Sequence, residues 1–189
     1  MDETEATPRI APVEPPYESE VGEMLRRWMP PGAEVEPLAL FRTLAVHPEL
    51  MSRMRPLGSG ILGHGVVSPR DREIVIHRTC ARAGAEYEWG VHAVAFGAAV
   101  GLTPEQIAAT AAGGPDDPAW SEHDSALIAL VDELHDTCAV SDELWEWLAA
   151  THADQVLLEL VVIAGWYRTI AYVINAARIR LEPWAARFC

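Results

Sequence analysis

The stretch that most constrains the fold is residues 154–180. There Val156, Leu160, Ile163, Tyr167, Ile170 and Ile174 recur at helical spacing, and Leu157, Val161 and Ala164 fill the neighbouring arc. A helix apolar over so many sides has to be buried widely, at the centre of a domain or in a subunit interface. Strand-type alternation of apolar and polar residues is almost absent elsewhere. The remaining segments must therefore pack around this one as helices, and the expected class is all-α.

Helix boundaries are readable from their caps. Ser68 precedes Pro69, with Asp71 three residues past the serine, which marks the start of a helix running to about Ala83. Thr103, followed by Pro104 and by Gln106 at the third helical position, predicts a capping box and a short helix closed by Gly113 and Gly114. Between these, residues 85–100 read as one helix bounded by Gly84 and Gly101. Further helices are expected over 19–29, 119–137, 141–151 and 154–180. Residues 37–63 should form two short helices with a break near His47 and Pro48, leading into a glycine-rich stretch at Gly58, Gly60, Gly63 and Gly65. Residues 1–17 are acidic and proline-rich and are expected to be a flexible arm, with 18–189 a single helical domain.

Charge narrows the partners. The 189 residues carry 14 basic and 28 acidic side chains, a formal net charge of −14, which disfavours nucleic acid and anionic membrane surfaces. No unbroken apolar run is long enough to span a bilayer, and the N-terminus has neither the basic nor the apolar region of a secretory signal. The expectation is a cytoplasmic protein without a membrane partner. Cys80, Cys138 and Cys189 form no CxxC pair, as suits free thiols in a reducing compartment.

The polar residues that stand out lie on apolar faces. At about 100° per residue, Ala85, Glu88, His92, Phe96 and Ala99 share one narrow arc, with Trp89 at its edge. Glu88 and His92 are thus one turn apart and able to touch. On the preceding helix, Glu73, His77 and Cys80 share a second stripe. If the two faces meet, Glu73, His77, Glu88 and His92 converge. Spacing alone leaves two readings: a satisfied structural hydrogen bond, or a carboxylate–imidazole pair that takes and returns protons in a dry pocket. The phenol of Tyr87 and the indole N–H of Trp89 would be donors to an oxyanion if they faced it. The HExxH pattern is absent, and no metal and no cofactor are expected. Arg70, Arg72 and Arg168 are candidates for holding a substrate carboxylate, with surface ion pairing the expected role of each. His47, His64, His123, His135 and His152 have no partner spacing that singles them out.

The residues just described resemble a known family. "SPRDREIVIHRTCARAGAEYEWGVHAVAFGAAVGLTPEQIAA" is similar to the core motif of the carboxymuconolactone decarboxylase family, which includes the AhpD-like alkylhydroperoxidases. The resemblance spans roughly residues 37–182. It rests on Arg70-x-x-Glu73-x-x-Ile76, on Glu86-Tyr87-Glu88-Trp89-x-x-His92 and on Gly101-Leu102-Thr103-x-Glu105-x-Ile107, in that order. It implies an AhpD-like multi-helix bundle that is an obligate homo-oligomer: trimer, hexamer or dimer. In the peroxidase branch a CxxC precedes a histidine by seven and four residues. Here those positions hold Ala85 and Glu88, while the relay glutamate and histidine match Glu73 and His92. Dithiol peroxidase chemistry needs a thiolate and a resolving thiol, which neither residue supplies.

The resulting expectation is a cofactor-independent lyase, decarboxylase or isomerase acting on a small carbonyl or lactone compound. His92, Glu88 and Glu73 are its catalytic residues, and Tyr87, Trp89, His77 and Phe96 line the substrate. The alternatives are a non-catalytic oligomeric small-molecule-binding protein and a thiol-dependent antioxidant using Cys80 or Cys138.

Overall fold

The computed structural model describes residues 7–30, 32 and 35–188. Among them are nine α-helices and no strand: α1 (Ser19–Trp28), α2 (Ala39–Leu44), α3 (Pro48–Gly63), α4 (Pro69–Arg82), α5 (Glu86–His92), α6 (Pro104–Ala112), α7 (Glu122–Thr137), α8 (Asp142–Thr151) and α9 (Asp154–Ala177). The caps read from sequence are in place. Ser68 accepts the Asp71 N–H, and Thr103 and Gln106 form the reciprocal capping box. Ser121 and Asp124 form a second such box, which sets the start of α7 at Glu122 rather than near Ala119.

The most enclosed helix is α4. Every residue from Arg72 to Cys80 is buried, and the helix packs on α5, α6, α7 and α9. Its charged members are held by partners. The Arg78 guanidinium donates to both Asp132 carboxylate oxygens at 2.7 Å and to the carbonyls of Thr110 (3.1 Å) and Gly113 (2.8 Å). One buried cation thus ties α4 to α6 and α7, in the bidentate geometry that offsets desolvation. Alongside lies α9, with Leu160, Ile163 and Ala171 fully buried.

Glycines 58 and 60 lie inside α3, and Gly58 leaves space for the Trp166 ring, 3.1 Å from where a Cβ would stand. Three expectations change. The helix over 85–100 is broken in type. After His92 the backbone widens into a π-helical turn, Ala93–Gly97, and tightens into a 3₁₀ turn, Ala98–Val100. Of the expected arm, residues 1–6 lie outside the described residues, while residues 9–17 are tied down. Arg9 N–H donates to the Ala177 carbonyl at 2.8 Å, and Val13 N–H to that of Arg42 at 3.1 Å. Finally, α9 is long and apolar enough to cross a membrane by length and composition, contrary to the expectation of no such segment. Here it packs on α4, α5 and α8.

Short chain segments position α5. Gly84, at φ +63°, makes the left-handed turn from α4 that a side chain would resist. Beyond α9 the chain returns as a strap over α5. Tyr87 donates to Glu182 Oε1 (2.7 Å), Ala186 N–H reaches the Gly90 carbonyl (3.3 Å), and Phe188 N–H reaches Glu86 Oε1 (2.7 Å). A Cβ on Gly90 would collide with the Ala186 carbonyl oxygen, closer than any tolerated contact. Gly90→Ala should therefore lift the strap and destabilise the protein by about 1–3 kcal/mol in urea denaturation, with faster proteolysis after α9. An unchanged midpoint would show that the strap yields without cost.

Candidate functional site

The site is built where α4, α5 and α9 meet. Glu73 and His77 on α4 are fully buried, and Glu88 and His92 on α5 are buried beside them. His92 Nδ1–H donates to Glu73 Oε2 at 2.7 Å, and His92 Nε2 faces Glu88 Oε1 at 3.5 Å. The other Glu73 oxygen accepts from Arg72 Nε–H at 3.3 Å. Arg72 is thus a buried anchor of the relay, not a surface pair. His77 Nδ1–H donates to the Glu73 backbone carbonyl at 2.6 Å. The four residues expected to converge do so, as a carboxylate–imidazole–carboxylate chain with a second imidazole at its side.

Protonation follows from these contacts. Burial opposes charge on His92, yet the Glu73 carboxylate and then Glu88 outweigh it and raise the imidazole to about 9. Burial likewise pushes the Glu73 carboxyl up, but His92, His77 and Arg72 together hold it below its usual range. His77 is driven down to about 4, by burial and by the His92 charge. At neutral pH the chain is therefore Glu73 carboxylate and His92 imidazolium, beside a neutral His77. Of the six buried side-chain polar atoms without a hydrogen-bond partner among the described residues, two lie in this cluster, His77 Nε2 and Glu88 Oε2. Such orphans are rare in folded proteins and mark a place for a ligand or water.

The expected donors lie elsewhere, which is a correction. The Tyr87 hydroxyl is spent on Glu182 and accepts the Leu40 N–H at 3.1 Å. The Trp89 indole N–H donates to Thr110 Oγ1 at 2.8 Å. Helical spacing showed their arc but not these partners, which are 21 to 95 residues away. Phe96 does reach the site, tilted against the His92 ring at 4.9 Å between centroids, and it is only half-buried, so it joins the relay to the surface. The residue that sequence reading missed as a site member is Tyr167. It meets His92 edge-on at 5.1 Å, and burial, Glu88 and Glu73 keep its phenol protonated. Its signal was its position as the one polar side chain in the buried stripe of α9. Cys80 is fully buried, and burial with the two carboxylates pushes its thiol well up.

Among the described residues the chain is all-helical and buries a Glu73–His92–Glu88 cluster with the Cys80 thiol sealed in the core. Residues 48–133, which carry all four relay residues, match the carboxymuconolactone decarboxylase family. No curated protein matches the sequence. Solved structures similar to the chain include a peroxidase-related protein from Silicibacter sp. TM1040, at 13% identity and TM-score 0.80, with all of both chains covered. A protein of unknown function from Agrobacterium tumefaciens, for which an AhpD antioxidant-defence role has been suggested, shares 18% identity at TM-score 0.67, covering 74% of this chain and 94% of that one. A cysteine-to-alanine variant of the debrominase Bmp8, in complex with 2,3,4-tribromopyrrole, shares 12% identity at TM-score 0.73, with 95% of each chain covered. Likeness at these identities establishes the fold alone. The chain is thus similar to the carboxymuconolactone decarboxylase family over residues 48–133, and its fold is that of AhpD-like proteins.

The relay makes stability depend on pH in two directions. His92 binds its proton more tightly folded than unfolded, so its contribution is full below pH 6.5 and is lost as pH rises through about 9. His77 is the reverse: the unfolded imidazole takes a proton below pH 6.5 that the folded one refuses down to about 4. Depressed carboxyls, Glu73 and Asp124, add to the loss on the acid side. Denaturation across pH should give a maximum near neutrality. His92→Gln should flatten the alkaline limb and His77→Gln should soften the acid one. An alkaline limb that survives His92→Gln would reassign it.

Proposed function

We propose that this protein is a cofactor-independent acid–base enzyme, of lyase, decarboxylase or isomerase type, acting on a small carbonyl or lactone compound. The observation that carries this reading is the unpartnered, buried Glu88 Oε2 at the Glu88 end of the relay. Glu73 holds His92 by one nitrogen and fixes its ring. The other nitrogen faces Glu88, so Glu88 exchanges a proton with the substrate while His92 supplies or stores it. Tyr167 and its protonated hydroxyl take the role of oxyanion donor that sequence spacing had given to Tyr87 and Trp89. Phe96 offers a flat apolar wall. A halogenated pyrrole bound by one structural neighbour is consistent with a small ring in this fold.

A thiol-dependent reading has less support. A Cys80 thiol held protonated is a poor nucleophile, and Cys138 is exposed with no second thiol described near it. Homo-oligomerisation belongs to the same proposal. Leu158 and Val162 leave an apolar strip of α9 open to solvent, and Leu158→Glu should lower the mass measured by light scattering if copies meet there.

The test is turnover of a panel of lactones, β-keto acids and unsaturated carbonyl compounds. With a substrate in hand, Glu88→Gln and His92→Asn should each cut kcat by about two orders of magnitude or more. The rate should fall as pH rises through about 9, where His92 loses its proton. Replacing Cys80 with alanine and Cys138 with serine should leave turnover intact. Activity that vanished in the cysteine variants and survived His92→Asn would overturn the assignment.

A further inference from the structure

A second cluster lies outside the relay. Asp71 from the first turn of α4, His123 from the first turn of α7 and His152 at the C-cap of α8 each bring one donor atom within 4.8 Å of the other two. His123 Nε2 stands 3.1 Å from Asp71 Oδ1, and the rings of His123 and His152 stack at 5.3 Å with 25° between their planes. These residues are 52, 29 and 81 positions apart in sequence, so no local motif announces them.

We propose that Asp71, His123 and His152 form a binding site for a divalent transition-metal ion of the zinc type. Two imidazoles and one carboxylate suit such an ion, whereas calcium and magnesium prefer oxygen ligands throughout. Bonds of about 2.0–2.2 Å around a tetrahedral ion place ligand atoms roughly 3.3–3.5 Å apart, so the trio needs only a small contraction to close on it. The supporting shell is partly built. The His152 Nδ1 lies 3.1 Å from the Leu148 carbonyl and 2.9 Å from Thr151 Oγ1, which fixes the ring and leaves Nε2 as the metal-binding nitrogen. On binding, the ion would stand between His123 Nε2 and Asp71 Oδ1, and three protein ligands leave at least one position for water. The side chains of His123 and Asp71 are 38% and 19% exposed, so an ion can enter from solvent. The net charge of −14 favours its approach.

The site also has something to hold. Leu148 is the one fully buried residue of α8, so that helix is lightly docked on α7 and α9. An ion at its C-cap would fasten it to the starts of α4 and α7. This departs from the sequence expectation of no metal, and it does not depend on the chemistry proposed for Glu88 and His92.

The test uses the full chain, stripped with chelator and dialysed. Zn²⁺ titrated in by calorimetry should bind in one equivalent per chain and raise the thermal midpoint. Co²⁺ in its place should develop visible d–d absorption from low-symmetry nitrogen and oxygen ligation. His152→Ala and Asp71→Asn should each weaken binding by about tenfold or more and remove the thermal shift. His64→Ala, at an exposed histidine outside the cluster, should change neither. Circular dichroism of the metal-free variants, matching the parent, excludes a folding defect; should one variant misfold, the other carries the test. No heat and no absorption up to roughly millimolar metal, weaker than any specific site, would overturn the proposal. So would stoichiometric binding that both variants retain.

Discussion

The hydrogen bond between Glu73 and His92 is the interaction on which the rest of the centre depends. Both groups are sealed from water, so each charge depends above all on the other. Taking either away leaves an uncompensated ion in an apolar interior, which is far more costly than removing the pair together. The same bond orders the protons around it. It keeps His92 charged and helps keep His77 neutral, while Glu88 Oε2 stays without a hydrogen-bond partner. Arg72 shares the remaining Glu73 oxygen, so the carboxylate cannot swing toward an alternative partner.

Holding that bond at 2.7 Å requires α5 to be fixed on two sides. From below, α4 is immobilised by its enclosure and by Arg78, which fastens it to α6 and α7. From above, the strap over Gly90 presses α5 inward. Just past His92 the helix changes to a π-helical turn. Such turns admit an extra residue and recur at functional sites, and this one sets Phe96 against the imidazole. Regular α-helical geometry would have carried Phe96 along the same arc without that local widening.

What could be read from the sequence was whatever local spacing dictates. Ser68, Thr103 and Gln106 cap helices by contacts within three residues, and all were legible. Glu88 and His92 are one turn apart, and the matching stripe on α4 was enough to bring in Glu73. Contacts set by tertiary packing were not legible. Tyr87 finds Glu182 at a separation of 95 residues, and its hydroxyl is thereby turned from the site. Tyr167 looked like packing because its neighbours on the stripe are aliphatic. The π-helical turn leaves no mark in a periodicity count over so short a segment. Asp71, His123 and His152 meet only because three helix ends do.

The strap has a consequence for how the protein is made. The relay residues all lie between positions 73 and 92, yet the group beside them comes from position 167 and the segment that seats their helix from positions 182–188. These are contacts of high sequence separation, and their loop-closure cost is met only when nearly the whole chain is present. During synthesis, α4 and α5 can form as helices early, but the ion pair between them remains open to water until α9 docks. The buried Glu73–His92 pair is therefore among the last parts of the molecule to mature, and a half-made chain carries these residues without their charges set.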